Sequence, residues 1–372
     1  MVEFLRALLG DAVLLSWLEE PLWRACCALV TAFTVALVTG PPLIRWLRKR
    51  QIVDQIEKGD SAQLDRMSIS KQSTPTLGGL IFLSALIVST ALWARLDEPL
   101  LLVLVGYVVG LSLLGFVDDW TKLKSGRKGV KARHKLTAQL LLSLAAGYFL
   151  YAFPPQVTIA GSSDDGGGSL TLFLPFFKDQ SIPLGVLFIP MVVLVTTGAS
   201  NAVNLTDGLD GLAIGCSTLV AATLAVVAFF VAGEPTAEYL RLPHVAGAAE
   251  VGVFAAALVG GGLGFLWFNC HPAEIFMGDT GALPLGGALG LMAVLCKQEL
   301  LLVLLGGVLV AEALSVMIQV GVYKVWRRRV FRIAPLHHHF QFKGLAESRI
   351  TVRFWMVGAV LALCSVMSVT IG

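Results

Sequence analysis

The chain has 372 residues, 56% of them hydrophobic and only 14% charged, with a mean hydropathy of +0.78 and a formal net charge of +3. Soluble domains carry about a quarter charged residues, so this composition excludes a water-soluble globular protein and describes a polytopic membrane protein. The six cysteines (Cys26, Cys27, Cys216, Cys270, Cys296, Cys364) show neither metal-ligand spacing nor a disulfide framework and read as small apolar packers.

The opening stretch "MVEFLRALLGDAVLLSWL" lacks a basic n-region and a small-residue cleavage site, and Asp11 interrupts it. With Leu5, Leu8, Leu9 and Ala12 at helical spacing and Trp17 at the edge, residues 1–20 read as an interfacial helix. Crossing a hydrocarbon core takes about 17 to 25 apolar residues as helix. Ten runs meet this: 23–45, 77–94, 99–117, 136–153, 183–200, 211–232, 246–268, 281–297, 299–322 and 352–371. The expected architecture is therefore a single all-α polytopic integral membrane domain over residues 1–372, with ten transmembrane helices. Of the 28 Lys and Arg residues, 22 follow the first, third and ninth runs. The positive-inside rule then puts the odd-numbered loops in the cytoplasm and both termini outside. Arg327, Arg328 and Arg329 read as a topological anchor, with no nucleic acid needed to explain them. Residues 154–182 form an extracytoplasmic loop. Its Asp164 and Asp165 are solvated, and the flanking "VTIAG" and "LTLFL" are expected to pair as a hairpin.

Five polar loops fall on the cytoplasmic side, and they contain "ISKQSTPTLGG" (69–79), "DDWTKLKSGRKGVKARHK" (118–135), "NAVNLTDGLDG" (201–211), "NCHPAEIFMGDTG" (269–281) and, within 324–351, "APLHHHF" (334–340). Such convergence suits a reaction between a water-soluble anion and a lipid head group. Lys71, Lys122, Lys131, Arg133 and Lys135 supply charge for phosphates. Asp118, Asp119, Asp207, Asp210 and Asp279 supply the oxygen ligands that Mg²⁺ prefers. Adjacent helical residues point about 100° apart, so of Asp118 and Asp119 one faces the site while the other caps or contacts the following loop. Asp207 and Asp210 share a face if helical, but Gly208 and Gly211 suggest an interrupted helix. Asp279 stands where it either caps the eighth span or holds metal, roles that can coexist. The run His337, His338, His339 is either a solvated polar turn or a phosphate-binding, proton-sharing group. Glu312 is the one deep charge, in a stripe with Ser315 and Gln319. It is either protonated and bonded between helices or lines a groove that receives lipid. A proton-coupled transporter would want several such groups and is the second class of function.

In this order, "STPTLGG", "GFVDDWTK", "NAVNLTDGLDGLA", "FNCHPAEIFMGDTGALPLGG" and "PLHHHF" resemble the polyprenyl-phosphate N-acetylhexosamine-1-phosphate transferases over nearly the whole chain. Within that superfamily, "APLHHHFQFKGLAESRITVRFW" resembles the branch that acts on phospho-N-acetylmuramoyl-pentapeptide. Members that use UDP-N-acetylglucosamine carry a different histidine motif and are the alternative. The resemblance implies transfer from UDP-N-acetylmuramoyl-pentapeptide to undecaprenyl phosphate, giving lipid I and UMP. This is the first membrane step of peptidoglycan synthesis; it implies a Mg²⁺-dependent homodimer in the bacterial inner membrane. It further implies Asp279 as the Mg²⁺ ligand with Asp118 and Asp210, and Asp118 orienting or deprotonating the lipid phosphate with Asp119 in support. His337 joins the catalytic set, with His338 and His339 completing the wall. Asn204, Asp207 and Asp210 would line the nucleotide site, with Phe276 on uracil, Asn269 and Lys71 at the nucleoside, and Lys122 and Lys135 on phosphates. Direct attack by the lipid phosphate and a covalent phospho-sugar enzyme both remain open, the former being favoured because the acceptor is already anionic. Ser73, Leu77, Ala282 and Pro284 depart from the pattern, and Pro284 is expected in the first turn of the eighth span.

Overall fold

The computed structural model describes residues 19–52, 74–125, 129–159, 168–178 and 180–371. Residues 1–18 of the expected interfacial helix, and Lys71, lie outside them. Every predicted apolar run falls on a helix: α1 (Pro21–Lys49), α2 (Gly79–Trp93), α3 (Pro99–Ser125), α4 (Ala132–Ala152), α5 (Phe188–Thr206), α6 (Leu212–Ala232), α8 (Ala248–Asn269), α9 (Asp279–Leu295), α10 (Glu299–Leu305) with α11 (Gly307–Trp326), and α13 (Glu347–Thr370). Short helices α7 (Glu234–Tyr239) and α12 (Leu336–Gln341) lie between them. Among the described residues seven helices are long and apolar enough to cross a membrane, and α2 and α9 are shorter apolar helices. The ninth run was expected to be continuous, but it breaks at Gly306. Gly306 and Gly307 adjoin there, and glycine costs a helix about 1 kcal/mol relative to alanine.

Helix α9 is the axis of the protein, with all 17 of its residues buried. A helix apolar on every side belongs in the centre, and α9 packs against α3 and α5 while α8 packs against α1, α2 and α6. Apolar surface gains little by leaving lipid, so close backbone packing must hold these helices together. Along α1, Ala28, Ala32, Ala36 and Gly40 form a buried stripe at four-residue spacing. Across from it, a Cβ on Gly260 would overlap the carbonyl of Leu29. Gly260→Ala is expected to force the two backbones apart, at about 1 to 3 kcal/mol, and to lower the thermal midpoint in detergent. Gly106→Ala, at a site with nothing within 4 Å of the added carbon, is the control that leaves the midpoint unchanged.

A buried polar seam fixes how α3, α4, α5 and α9 face one another. Ser143 lies 2.9 Å from Tyr107 Oη and 3.0 Å from Thr197 Oγ1, and accepts from Thr196 Oγ1 at 2.9 Å. Gln139 donates to Ser200 at 3.1 Å, and Ser200 to the Leu283 carbonyl at 2.9 Å. Each such bond contributes only about 0.6 kcal/mol within a membrane, so their effect is on registry more than on stability. At the other end of the bundle Arg24, Glu250 and the Arg95 amide form a buried cluster, with Arg24 Nη1 2.8 Å from Glu250 Oε2.

Three expectations need correction. Among the described residues the strands pair otherwise than in the expected hairpin: β1 (Val157–Thr158) joins β4 (His244–Val245), and β2 (Thr171–Phe173) joins β3 (Ser181–Pro183). Local closure explains the second pairing, because seven residues separate β2 from β3. Pro284 is the sixth residue of α9 and not in its first turn. The Thr280 carbonyl thereby loses its N–H partner, and buried packing on all sides carries the helix through. The third concerns Asp118 and Asp119, which lie inside α3 and not in a loop after it.

Candidate active site

Helix α3 continues two turns past its apolar run, which turns the adjacent aspartates in different directions. Asp118 Oδ1 accepts from the Val130 amide at 2.8 Å, and its Oδ2 lies 2.7 Å from Lys122 Nζ. Asp119 points into the bundle. It accepts from the amides of Asp279 at 3.1 Å and Thr280 at 2.8 Å, and from Thr280 Oγ1 at 2.6 Å. These amides belong to the first turn of α9, whose own N-cap residue is Gly278. The cap expected of Asp279 is therefore supplied by Asp119, across helices, with the helix dipole adding to the attraction. Gly278 has φ 71°, and a Cβ there would come within 2.6 Å of Asp119 Oδ2.

Relieved of capping, the Asp279 carboxylate faces three side chains. Lys122 Nζ lies 3.0 Å from Oδ2, Lys135 Nζ bonds the same oxygen, and Asn204 Nδ2 donates to Oδ1 at 2.5 Å. Lys122 sits between Asp118 and Asp279, and Lys135 lies 3.9 Å from Asp118. Three carboxylates thus share two ammonium groups, leaving one negative charge over. Asp118, Asp119 and Asp279 are buried, each offering an oxygen within 4.8 Å of the others, an arrangement able to hold a metal ion. Lys122 keeps its side chain 44% exposed, so a phosphate arriving from solvent can reach it.

Asp210 was expected beside this group and lies in another. The chain from α5 to α6 is interrupted, as Gly208 and Gly211 suggested, with Gly211 at φ 72° as the α6 N-cap. In that turn Asp210 Oδ2 sits 2.9 Å from His271 Nδ1 and accepts from the Ala273 amide at 3.2 Å, while the Asp210 amide donates to Glu347 Oε1 at 2.8 Å. Asp210, His271 and Glu347 are a second set of groups whose ligand atoms lie within 4.8 Å. Asp207 is half-buried at the end of α5. Asn269 braces the neighbouring loop, accepting from the Gly211 amide at 3.1 Å and donating to the Ile275 carbonyl at 2.9 Å. Phe276 is half-buried and zipped by its backbone to Pro75 and Gly78, each at 2.8 Å.

The three histidines have three environments. His337 is fully buried against Glu312, with Nδ1 3.1 Å from Oε2. His338 Nδ1 lies 2.7 Å from Gln341 Oε1. His339 accepts from the Arg332 amide at Nδ1, and burial, then the charges of Lys343 and Arg332, push its pKa below the usual histidine value. Glu312 thus bonds between two elements, which matches the contact, though not the protonation, that one of its two readings expected. Thr280, His271 and Glu347 were not singled out beforehand as site residues. Only His271 had a signal, its place beside Asn269 in the motif.

Residues 101–297 match the model of Glycosyl transferase family 4. Phospho-N-acetylmuramoyl-pentapeptide-transferases from Citrifermentans bemidjiense and Geobacter sp. strain M21 are each 45% identical over 367 residues, 98% of both chains. The enzyme of that name from Pelobacter propionicus is 45% identical over 368 residues, again 98% of both. Matches of this length cover nearly the whole of both chains, and the chain belongs to the phospho-N-acetylmuramoyl-pentapeptide-transferase family.

Proposed function

We propose that the chain transfers phospho-N-acetylmuramoyl-pentapeptide from its UDP carrier to undecaprenyl phosphate, releasing UMP and forming lipid I. The observation that carries this reading is the Asp279 carboxylate, buried and held by Lys122, Lys135 and Asn204 within reach of Asp118. Phosphoryl transfer requires alignment and charge neutralisation more than covalent help from the protein. Lys122 and Lys135 can exchange a carboxylate partner for a phosphate oxygen without leaving the site. An oxygen of the lipid phosphate attacks the sugar-linked phosphorus, a new P–O bond forms there, and the bond to the UMP phosphate breaks with UMP leaving as the anion. Asp118 orients the acceptor, and Asp119 holds the start of α9 so that Asp279 keeps its place. Asn204, Asp207, Phe276 and Asn269 flank the nucleotide, and His337, His338 and His339 close the wall.

The donor set suits Mg²⁺, being hard carboxylate oxygens with no thiol or imidazole among them. Asp279 and Asp118 would hold it. Asp119 is committed to three donors and Asp210 to the other group, which argues against either as a third ligand. Bound there, the ion would draw charge from the diphosphate oxygens. We further propose ten crossings with both termini outside, a cytoplasmic cleft, and a homodimer in the bacterial inner membrane.

The test is UMP release by detergent-purified protein given undecaprenyl phosphate, Mg²⁺ and one of two donors. Release with UDP-N-acetylmuramoyl-pentapeptide is expected. Release only with UDP-N-acetylglucosamine would move the substrate assignment to the sibling branch. Radiolabelled phospho-sugar trapped on the protein without lipid acceptor would replace direct attack by a covalent intermediate.

A further inference from the structure

We infer that Glu312 is a positioning residue for His337: it fixes the imidazole with its proton on Nδ1, leaving Nε2 as a bare acceptor beneath the turn that carries Asp207 and Asp210. The inference rests on the proposed reading of the histidine loop as part of the active site.

Glu312, on α11, and His337, on α12, are both fully buried. The Glu312 carboxylate meets His337 twice, at the backbone amide (3.1 Å from Oε1) and at ring Nδ1 (3.1 Å from Oε2). A backbone N–H can only donate, so Oε1 must accept. An ionised carboxylate accepts at both oxygens, which requires the ring proton on Nδ1. The opposite assignment needs a protonated Glu312 donating to Nδ1 and a proton on Nε2. Among the described residues Nε2 has no partner under either assignment, so the choice falls to the Glu312 side, where an ionised carboxylate gains two charge-assisted bonds from the His337 amide and Nδ1–H.

Gly208 shows where the bare nitrogen lies. A Cβ at this position would fall on Nε2, so only glycine lets the ring sit there. Gly208 is itself exposed, so the lone pair is one glycine below the surface of the turn between Asp207 and Asp210. Nε2 has no surface of its own here, so a hydroxyl or amide N–H of the sugar nucleotide, the kind of donor this acceptor takes, meets it only when the Gly208 turn shifts aside. Glu312 touches no such ligand and acts through the ring, as carboxylates do that set the tautomer of a functional histidine.

The test combines spectroscopy with kinetics. In protein labelled with ¹⁵N-histidine, the His337 resonances are identified by their loss in His337→Gln, and the shifts distinguish a protonated ring nitrogen from a bare one. A bare Nε2 is expected in the wild type and a proton on Nε2 in Glu312→Gln, which can turn its amide N–H toward Nδ1. The same variant is expected to lose about 10- to 100-fold in kcat/KM for the UDP substrate, the usual effect of removing an orienting carboxylate. A protonated Nε2 in the wild type overturns the inference, and this holds even where Glu312→Gln fails to fold. An inactive His337→Gln alongside a fully active Glu312→Gln overturns it while leaving the histidine in the site. A fully active His337→Gln overturns the reading of the loop itself, and the inference with it.

Discussion

Asp279→Asn is expected to lower UMP release by about a thousandfold while the protein elutes and melts as the wild type does. Electrostatic groups aimed at developing charge are worth about 10²- to 10³-fold each, and Asp279 serves several at once. Its Oδ2 anchors Lys122 and Lys135, and its Oδ1 accepts from Asn204. The amide loses the charge that holds both lysines and offers one acceptor for three donors, so the lysines fall back on Asp118. The fold survives because α9 is started by Asp119, through the backbone of residue 279 and not its side chain. Activity within tenfold of wild type would remove Asp279 from the reacting centre. The companion Asp118→Asn is expected to lose activity similarly and also to loosen the following loop, which Asp118 ties through the Val130 amide.

Much of this site was legible in residue type and order. The apolar runs marked every long helix because hydropathy over about 20 residues is a strong signal, and the glycines of "TDGLDG" marked the interrupted helix. What the sequence could not show was which donor each carboxylate meets. Asp118 and Asp119 are adjacent and chemically identical, and only the position of α9 decides that one faces lysines and the other an helix N-terminus. Asp207 and Asp210 looked equivalent to Asp279 as oxygen ligands, yet Asp210 pairs with His271. Glu347 escaped notice because its partner, the Asp210 amide, is 137 residues away and backbone groups leave no trace in composition. Glu312 could be flagged as a buried charge, but its partner on a separate short helix could not be chosen among three histidines.

Asp119→Ala is expected to be the most damaging change at the centre to stability, and to abolish activity as a result. Three donors lose their acceptor: the Asp279 amide, the Thr280 amide and the Thr280 hydroxyl. Replacing a capping carboxylate with alanine costs about 0.5 to 2 kcal/mol, and each buried donor left unpaired adds about 1 to 3 kcal/mol. A lower thermal midpoint should therefore accompany the lost turnover, unlike in Asp279→Asn. Thr280→Val removes the hydroxyl donor alone, so its destabilisation should largely vanish when Asp119 is already alanine, with a coupling of about 0.5 to 3 kcal/mol. Additive effects of the two substitutions on the midpoint would mean that the Asp119–Thr280 bond contributes nothing. An Asp119→Ala protein that melts like wild type but does not turn over would make Asp119 a participant in the chemistry. The two aspartates divide the work: Asp118 keeps its carboxylate beside Lys122 and Lys135, and Asp119 gives its own to the helix that delivers Asp279.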